Sequence, residues 1–413
     1  MHNTLRFGVN YVPSNGWWYS WIDWDDLTFH NDFAAIAELG CDHIRIHCLW
    51  PVFQPNPRLV SETMLGRLAR LLELANVAGL DVVVTVLNGW LSGFDFRPSW
   101  LDDDANIFVD RAVIDAELDL LSAIADRIGT HERFLGFDVA NEPSVLSTLT
   151  KNVTTRSEGD RWVAEILQHC ERVAPAKLHS VGMDHLPWLR NDTPFGRPTL
   201  AQAGAVTPIH AWIYFTGALE RYGETGTGTI HLPEYMLELA KAYHDDPGRQ
   251  VWLQEYGVSR EWVQDLSPED FLERATMASV TVENLWGITW WCSHDIDRRL
   301  GGFIELEYDL GLLTVNNVVK PIGQRFHDVI HKIRSDRRGV ATVRTTAVVL
   351  PDNLTPDLEF ADVFFALIDK GIDPAIVLGS KATNKGYLKS RGISTLVEFH
   401  GQLRRGTYPI PST

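Results

Sequence analysis

What most constrains this chain is an order of elements rather than any single motif. Over roughly its first 335 residues, short apolar β-type runs alternate with stretches of helical periodicity or loop. The strand-like runs fall at residues 5–12, 43–49, 81–87, 134–140, 179–183, 206–212, 250–254 and 287–292. Helices are predicted at 32–39, 61–77, 111–128, 158–173, 233–244, 268–284 and 320–333. The segment 61–77 is the clearest, with Leu65, Leu68, Leu71, Leu72 and Ala75 at helical spacing and Gly79 as its stop. Eight such units are the count of an α/β fold of the (β/α)8 barrel (TIM barrel) type with long loops. The rival, a doubly wound open sheet, usually carries a Gly-rich phosphate turn after its first strand, and Gly8-Val9-Asn10-Tyr11 is not one.

After Ser335 the texture changes. Asp336-Arg337-Arg338-Gly339 reads as a linker, separating a barrel over 1–335 from a small α/β module over 341–413. Strands are predicted there at 345–350, 374–378 and 394–399, with helices at 360–370 and 384–390. A module of about 70 residues has a thin core and is expected to pack on the barrel or on another subunit. That points to a homo-oligomer, with a trimer as one form.

A parallel barrel keeps its chemistry at the C-terminal ends of its strands. Two runs end in a glutamate and then break at Pro or Gly: Leu135-Gly136-Phe137-Asp138-Val139-Ala140-Asn141-Glu142-Pro143 and Val251-Trp252-Leu253-Gln254-Glu255-Tyr256-Gly257. Either alone could be an ordinary rim residue. Together they suggest the paired carboxylates that hydrolyse glycosidic bonds. Arg45 and His47 share one face of the second run, opposite Ile44 and Ile46. Arg45 is either a purely structural ion-pair partner or a cation for the site. Trp290 and Trp291 point to opposite faces, so one of them must be packing.

A formal charge of −17 argues against nucleic acid and anionic membrane surfaces as partners, and leaves a neutral sugar open. Cys41, Cys48, Cys170 and Cys292 have neither metal-type nor disulfide-framework spacing. Of His43, His47, His179, His185 and His210 only His43 and His47 are closely spaced, too far apart along a strand for easy chelation. No metal or cofactor is therefore expected. The N-terminus lacks a basic-then-apolar signal and no stretch reaches membrane-span length, so a cytoplasmic protein is expected. Trp17, Trp18, Trp21 and Trp24 crowd one early segment, where they either line a sugar pocket or pin a long loop.

The set of strand ends resembles glycoside hydrolase family 5 and the wider clan of retaining (β/α)8 glycosidases, over roughly residues 5–334. The resemblance implies that Glu142 is the acid/base, Asn141 its neighbour on the sugar 2-hydroxyl, and Glu255 the nucleophile. It likewise implies roles at the sugar for Arg45, for His210 in Pro208-Ile209-His210, and for Trp291 in Thr289-Trp290-Trp291. Without the resemblance, His210 would read as a hydrogen-bonded core histidine. Val86-Leu87-Asn88-Gly89-Trp90 looks like the mannan-acting members, making Asn88 and Trp90 substrate contacts. Trp212 stands where the family has a tyrosine, with Tyr214 beyond, which leaves open the hydroxyl that holds the nucleophile. The implied activity is an exo-acting β-mannosidase on short β-1,4-linked mannosides, including Man-β-1,4-GlcNAc of the N-glycan core. Endo-β-1,4-mannanase and β-glucosidase or endoglucanase are the alternatives, and outside enzymes a catalytically inactive sugar-binding barrel. For retention, Arg45 should keep Glu255 ionised, while a neighbouring carboxylate and a dry aromatic wall should keep Glu142 protonated.

Overall fold

The structure, a computed structural model, describes residues 5–335 and 341–399. The linker expected at 336–339 and the end of the module, 400–413, lie outside the described residues.

Eight strands form one parallel sheet: β1 (Arg6–Asn10), β2 (His43–Leu49), β3 (Asp81–Asn88), β4 (Phe134–Asn141), β5 (Ser180–Gly182), β6 (Thr207–His210), β7 (Val251–Glu255) and β8 (Leu285–Trp291). Their order is β5-β4-β3-β2-β1-β8-β7-β6, so β1 lies beside β8 and the sheet curls into a nearly closed barrel. At the seam between β5 and β6, the Ala205 amide donates to the His179 carbonyl at 2.8 Å. Gly204 makes that approach with φ +63, and a Cβ there would lie 2.2 Å from the same carbonyl.

The outer helices are α1 (Asp26–Glu38), α2 (Glu62–Ala78), α3 (Arg111–Ile128), α4 (Arg156–Val173), α5 (Leu232–Tyr243), α6 (Pro268–Ser279) and α7 (Pro321–Ser335). Two depart from the periodicity. Helix α1 begins at Asp26 rather than near 32, because the Asp25 carboxylate accepts from the Leu27 and Thr28 amides and caps it. Helix α6 stops at Ser279 rather than 284. There Thr281 Oγ1 donates to the Ala278 carbonyl at 2.7 Å, and the Thr281 carbonyl accepts from the Thr342 amide at 3.0 Å.

The barrel interior is layered. Its floor is an apolar plug of Val83, Val206, Trp252 and Trp286. Thr289 Oγ1 satisfies both His43 Nε2 at 2.8 Å and Trp252 Nε1 at 2.7 Å. Arg45, Asp138, His210 and Glu255 lie above this plug, toward the C-terminal ends of their strands. The early tryptophans pin their segment: Trp17, Trp18 and Trp21 are buried in a 3-10 turn, and Trp21 Nε1 donates to the His47 carbonyl at 2.8 Å.

Beyond α7, β9 (Thr346–Leu350), β10 (Pro374–Leu378) and β11 (Thr395–Glu398) make a parallel sheet in the order β10-β9-β11, with α8 (Leu358–Ile368) against it. This module covers the outer side of α5. As a result every residue of α5 from Leu232 to Ala242 is buried. Phe364 and Phe365 of α8 pack on Tyr235, and Arg344 and Arg391 close on Glu238. No helix among the described residues is long and apolar enough to cross a membrane.

Candidate active site

Arg45, fully buried on β2, organises the polar layer. Nη1 donates to Glu255 Oε1 at 2.6 Å and to Asn10 Oδ1 at 2.8 Å. Nη2 donates to Asn141 Oδ1 at 2.7 Å, and Nε to Asp138 Oδ2 at 2.8 Å. Such a fork is held rigidly because each partner fixes a different edge of the guanidinium.

A regular strand could not supply these partners. Side chains alternate between faces, yet Asp138 and Asn141 both reach Arg45, and Gln254 and Glu255 both reach His210. Register shifts explain both cases. One lies between Asp138 and Asn141 opposite β5, the other where Ile209 faces Leu253 and His210 faces Glu255. Gly182 on β5 leaves the space. A Cβ there would lie 2.7 Å from Gln254 Oε1, 2.8 Å from Asp138 Oδ2 and 3.0 Å from Arg45 Nη2.

Glu142 follows β4 with φ 47 and ψ 52. Pro143 disfavours the right-handed helical region for the residue before it, and the left-handed alternative is strained for a glutamate. The Glu142 amide donates to the Gly182 carbonyl at 2.8 Å, which holds the turn. Beyond it Ser144 Oγ donates to Asp184 Oδ1 at 2.5 Å.

Carboxylate oxygens of Glu142 and Glu255 and a ring nitrogen of His210 lie within 4.8 Å of one another. That is the short separation suited to a nucleophile and an acid/base, roughly 5–5.5 Å in retaining enzymes. The same three donors could hold a metal ion, although Arg45 already occupies Glu255 Oε1. The Arg45 charge favours a nucleophile's carboxylate there. Trp212 Nε1 donates to Glu255 Oε2 at 3.3 Å, so an indole N–H stands at the nucleophile where the family has a tyrosine hydroxyl.

The two carboxyls differ in their surroundings. Burial raises Glu142 to about 7, with Arg45 opposing. Burial also raises Glu255, but the directly bonded Arg45 opposes that rise. His210 decides where the proton sits. Its Nε2 lies 2.8 Å from Gln254 Oε1 and its Nδ1 2.8 Å from Glu142 Oε1. Burial lowers the ring's pKa, so it carries one proton. With Gln254 accepting from Nε2–H, Nδ1 is an acceptor, and the proton between it and Glu142 belongs to Glu142. The arrangement therefore holds one protonated and one ionised carboxyl across a short gap.

The other expected residues fall around this centre. Trp291 packs near Trp212 and His47, while Trp290 is turned away with Nε1 donating to the Leu310 carbonyl at 3.2 Å. The Asn141 amide is engaged at both ends, by Arg45 and by the Trp90 carbonyl. Asn88 is buried, donating to the Cys48 and Thr85 carbonyls and facing His47 Nδ1 at 2.9 Å. It therefore orients His47. The Trp90 ring is partly buried on a short hairpin, Trp90–Leu91 with Phe94–Asp95. Sequence reasoning missed Asp138, Gln254 and Asn10. An acid inside the apolar run Phe137-Asp138-Val139 was the available signal, since a charged residue is rarely buried without a partner.

A barrel with two carboxyls so placed defines a glycosidase of the double-displacement type. No protein-family model matches the chain, and no curated protein sequence matches it. Solved structures do. A GH5_18 protein from Streptomyces cattleya, in complex with GlcNAc, is 37% identical, with a TM-score of 0.92 over 96% of this chain and 98% of its own. An alanine variant of GH5_18 from Bifidobacterium longum subsp. longum, in complex with Man-β-1,4-GlcNAc, is 32% identical, with a TM-score of 0.89 over 95% and 96%. The exo-β-1,4-mannosidase Op5Man5 from Opitutaceae bacterium strain TAV5, at 22% identity and a TM-score of 0.80 over 95% and 72%, shares the fold. The chain belongs to glycoside hydrolase family 5, alongside members of subfamily 18.

Proposed function

We propose that the chain is a retaining, exo-acting β-mannosidase that cleaves short β-1,4-linked mannosides, Man-β-1,4-GlcNAc among them. One observation carries this reading: family members 32–37% identical over almost their whole length bind that disaccharide. In this mechanism Glu255 attacks the anomeric carbon while Glu142 gives its proton to the glycosidic oxygen. The bond to the leaving sugar breaks as the ester to Glu255 forms. Glu142, now ionised, takes a proton from water, and that water opens the ester with net retention. Arg45, His210, Trp212 and Trp291 hold the reacting groups, Asn141 and Trp90 border the sugar site, and Asn88 acts only by orienting His47. A panel of aryl β-mannoside, β-glucoside and β-galactoside with Man-β-1,4-GlcNAc tests the proposal, with proton NMR of the first-formed product. Inverted product, or no turnover of any β-mannoside, would end it.

We also take 1–335 as the catalytic barrel and 341–413 as a module that supports a homo-oligomer, a trimer in this reading, whose state light scattering reads. A cytoplasmic site agrees with four cysteines that are all free and buried.

A further inference from the structure

The two sides of the barrel mouth differ. On the β6–β7 side the aromatics are open: Tyr214 and Phe215 are 44% and 45% exposed, and both pack on Trp262. On the β8–β1 side they close. Trp17, itself 1% exposed, packs on Phe94, Phe96 and Phe303, with the Phe303 ring centroid at 5.0 Å. Glu142 follows β4 and its partner His210 ends β6, across the barrel from β8 and β1, so a leaving sugar protonated by Glu142 departs on that side. The sugar that stays on Glu255 then faces the closed side.

That closed side carries a third acid, Glu307, on the 3-10 turn Glu305–Asp309 that follows β8. It is 9% exposed, and its Oε2 has no hydrogen-bond partner among the described residues. Beside it lies Ser92, whose buried hydroxyl faces the Glu307 carboxyl. Ser92 occupies the turn of the 90–95 hairpin with φ 49, followed by Gly93 with φ 87, both in the left-handed region such a two-residue turn requires. Strain of this kind gathers at ligand sites. Burial raises Glu307 to about 7, with hydrogen bonds from Ser92 and Trp291 opposing and both Glu255 and Glu142 adding repulsion, so it interacts with both site acids. Buried oxygens left unpaired are costly unless something supplies donors, and sugar hydroxyls do.

We propose that Glu307, with Ser92, anchors the C4 hydroxyl of the non-reducing terminal sugar next to the scissile bond, and that this anchor makes the enzyme exo-acting. The inference rests on the glycosidase reading above. A carboxylate against the aromatic wall accepts from a free hydroxyl, whereas a further sugar at that oxygen removes the hydrogen and meets Trp17 and Phe303. Glu307 is thus a specificity residue and takes no proton in the reaction.

The test compares kcat/KM for an aryl β-mannoside with its 3-, 4- and 6-deoxy forms, in the wild type, Glu307→Ala and Ser92→Ala. In the wild type the 4-deoxy form should lose about 10- to 100-fold, the worth of a hydrogen bond to a charged group. That penalty should all but vanish in Glu307→Ala and shrink in Ser92→Ala, while the 3- and 6-deoxy penalties persist. A 4-deoxy penalty unchanged in both variants would overturn the proposal, and a soluble Ser92→Ala alone suffices if Glu307→Ala does not fold. If the wild type instead prefers β-glucosides, the mannosidase reading fails. The same comparison with 4-deoxy glucosides still judges Glu307.

Discussion

Two buried ionic clusters in this molecule titrate in opposite directions. At the seam between barrel and module, burial pushes Glu238 up, but Lys241, Arg344 and Arg391 surround it and bring it down to about 2. At the strand ends the balance is reversed. Arg45 is shared between Asp138 and Glu255, and Glu142, bonded only to a neutral histidine, is left to burial and rises to about 7. Burial alone disfavours any charge, so the number of cations facing each carboxylate sets the sign. The seam has cations in excess around its carboxylate and holds two parts together. The site is left short of positive charge, which keeps a proton on Glu142 and makes it an acid.

Removing a site carboxylate should have the largest effect. Glu255→Ala and Glu142→Ala are each expected to lose at least ~10⁴-fold in kcat, with azide restoring turnover in the first by attack from the opposite face. Steady-state rates on an aryl β-mannoside check this, and near-normal turnover in either variant would undo the assignment of the two acids.

At the seam the expected effect is on stability. Arg391→Ala leaves Glu238 short of a buried partner and should cost ~3–5 kcal/mol in urea unfolding, with kcat/KM per folded molecule unchanged. The pH dependence sharpens the contrast. Glu238 lies below its unfolded value of ~4.3, so its contribution is present above that pH and is lost as pH falls toward about 2. A flat acid limb would mean that the seam holds no depressed carboxylate.

Gly182→Ala tests how tightly the site is built. A methyl pressed against Gln254, Asp138 and Arg45 should cost about 10²-fold in kcat/KM through misplacement of Glu255, with a smaller loss of thermal stability. Unchanged kinetics would show that the polar layer can yield.

The smallest effect is a difference in sign. Glu142 lies above its unfolded value, so the folded state holds an extra proton between ~4.3 and about 7 and loses stability as pH rises through that window. At pH 8, Glu142→Gln should therefore be more stable than the wild type by roughly 1–3 kcal/mol, while Glu238→Gln is less stable. The same ionisation should bring down kcat/KM above about pH 7, where the acid has lost its proton. Thermal unfolding of both variants at pH 8 reads the sign, and a shift in the same direction for both would collapse the comparison.

Sequence alone determined the elements and their order. Strand β10 falls on the predicted residues 374–378, and β2 on 43–49, because short apolar or alternating runs bounded by Gly, Pro and polar residues are local signals. It also singled out Glu142, Glu255 and Arg45, since a charged residue at a strand end or on one face of a strand stands out by position. The tertiary structure decided what surrounds them. Gln254 and Asp138 join the site only because strands slip register. Gly182 matters only because three side chains from other strands converge on it. Asn88 spends its amide within the protein. Glu307 meets Ser92 across loops more than two hundred residues apart. Helix α5 has an amphipathic sequence, yet it is buried on every side because the module lands on it. Each of these depends on contacts between distant segments, and local periodicity carries no information about which distant segments will meet.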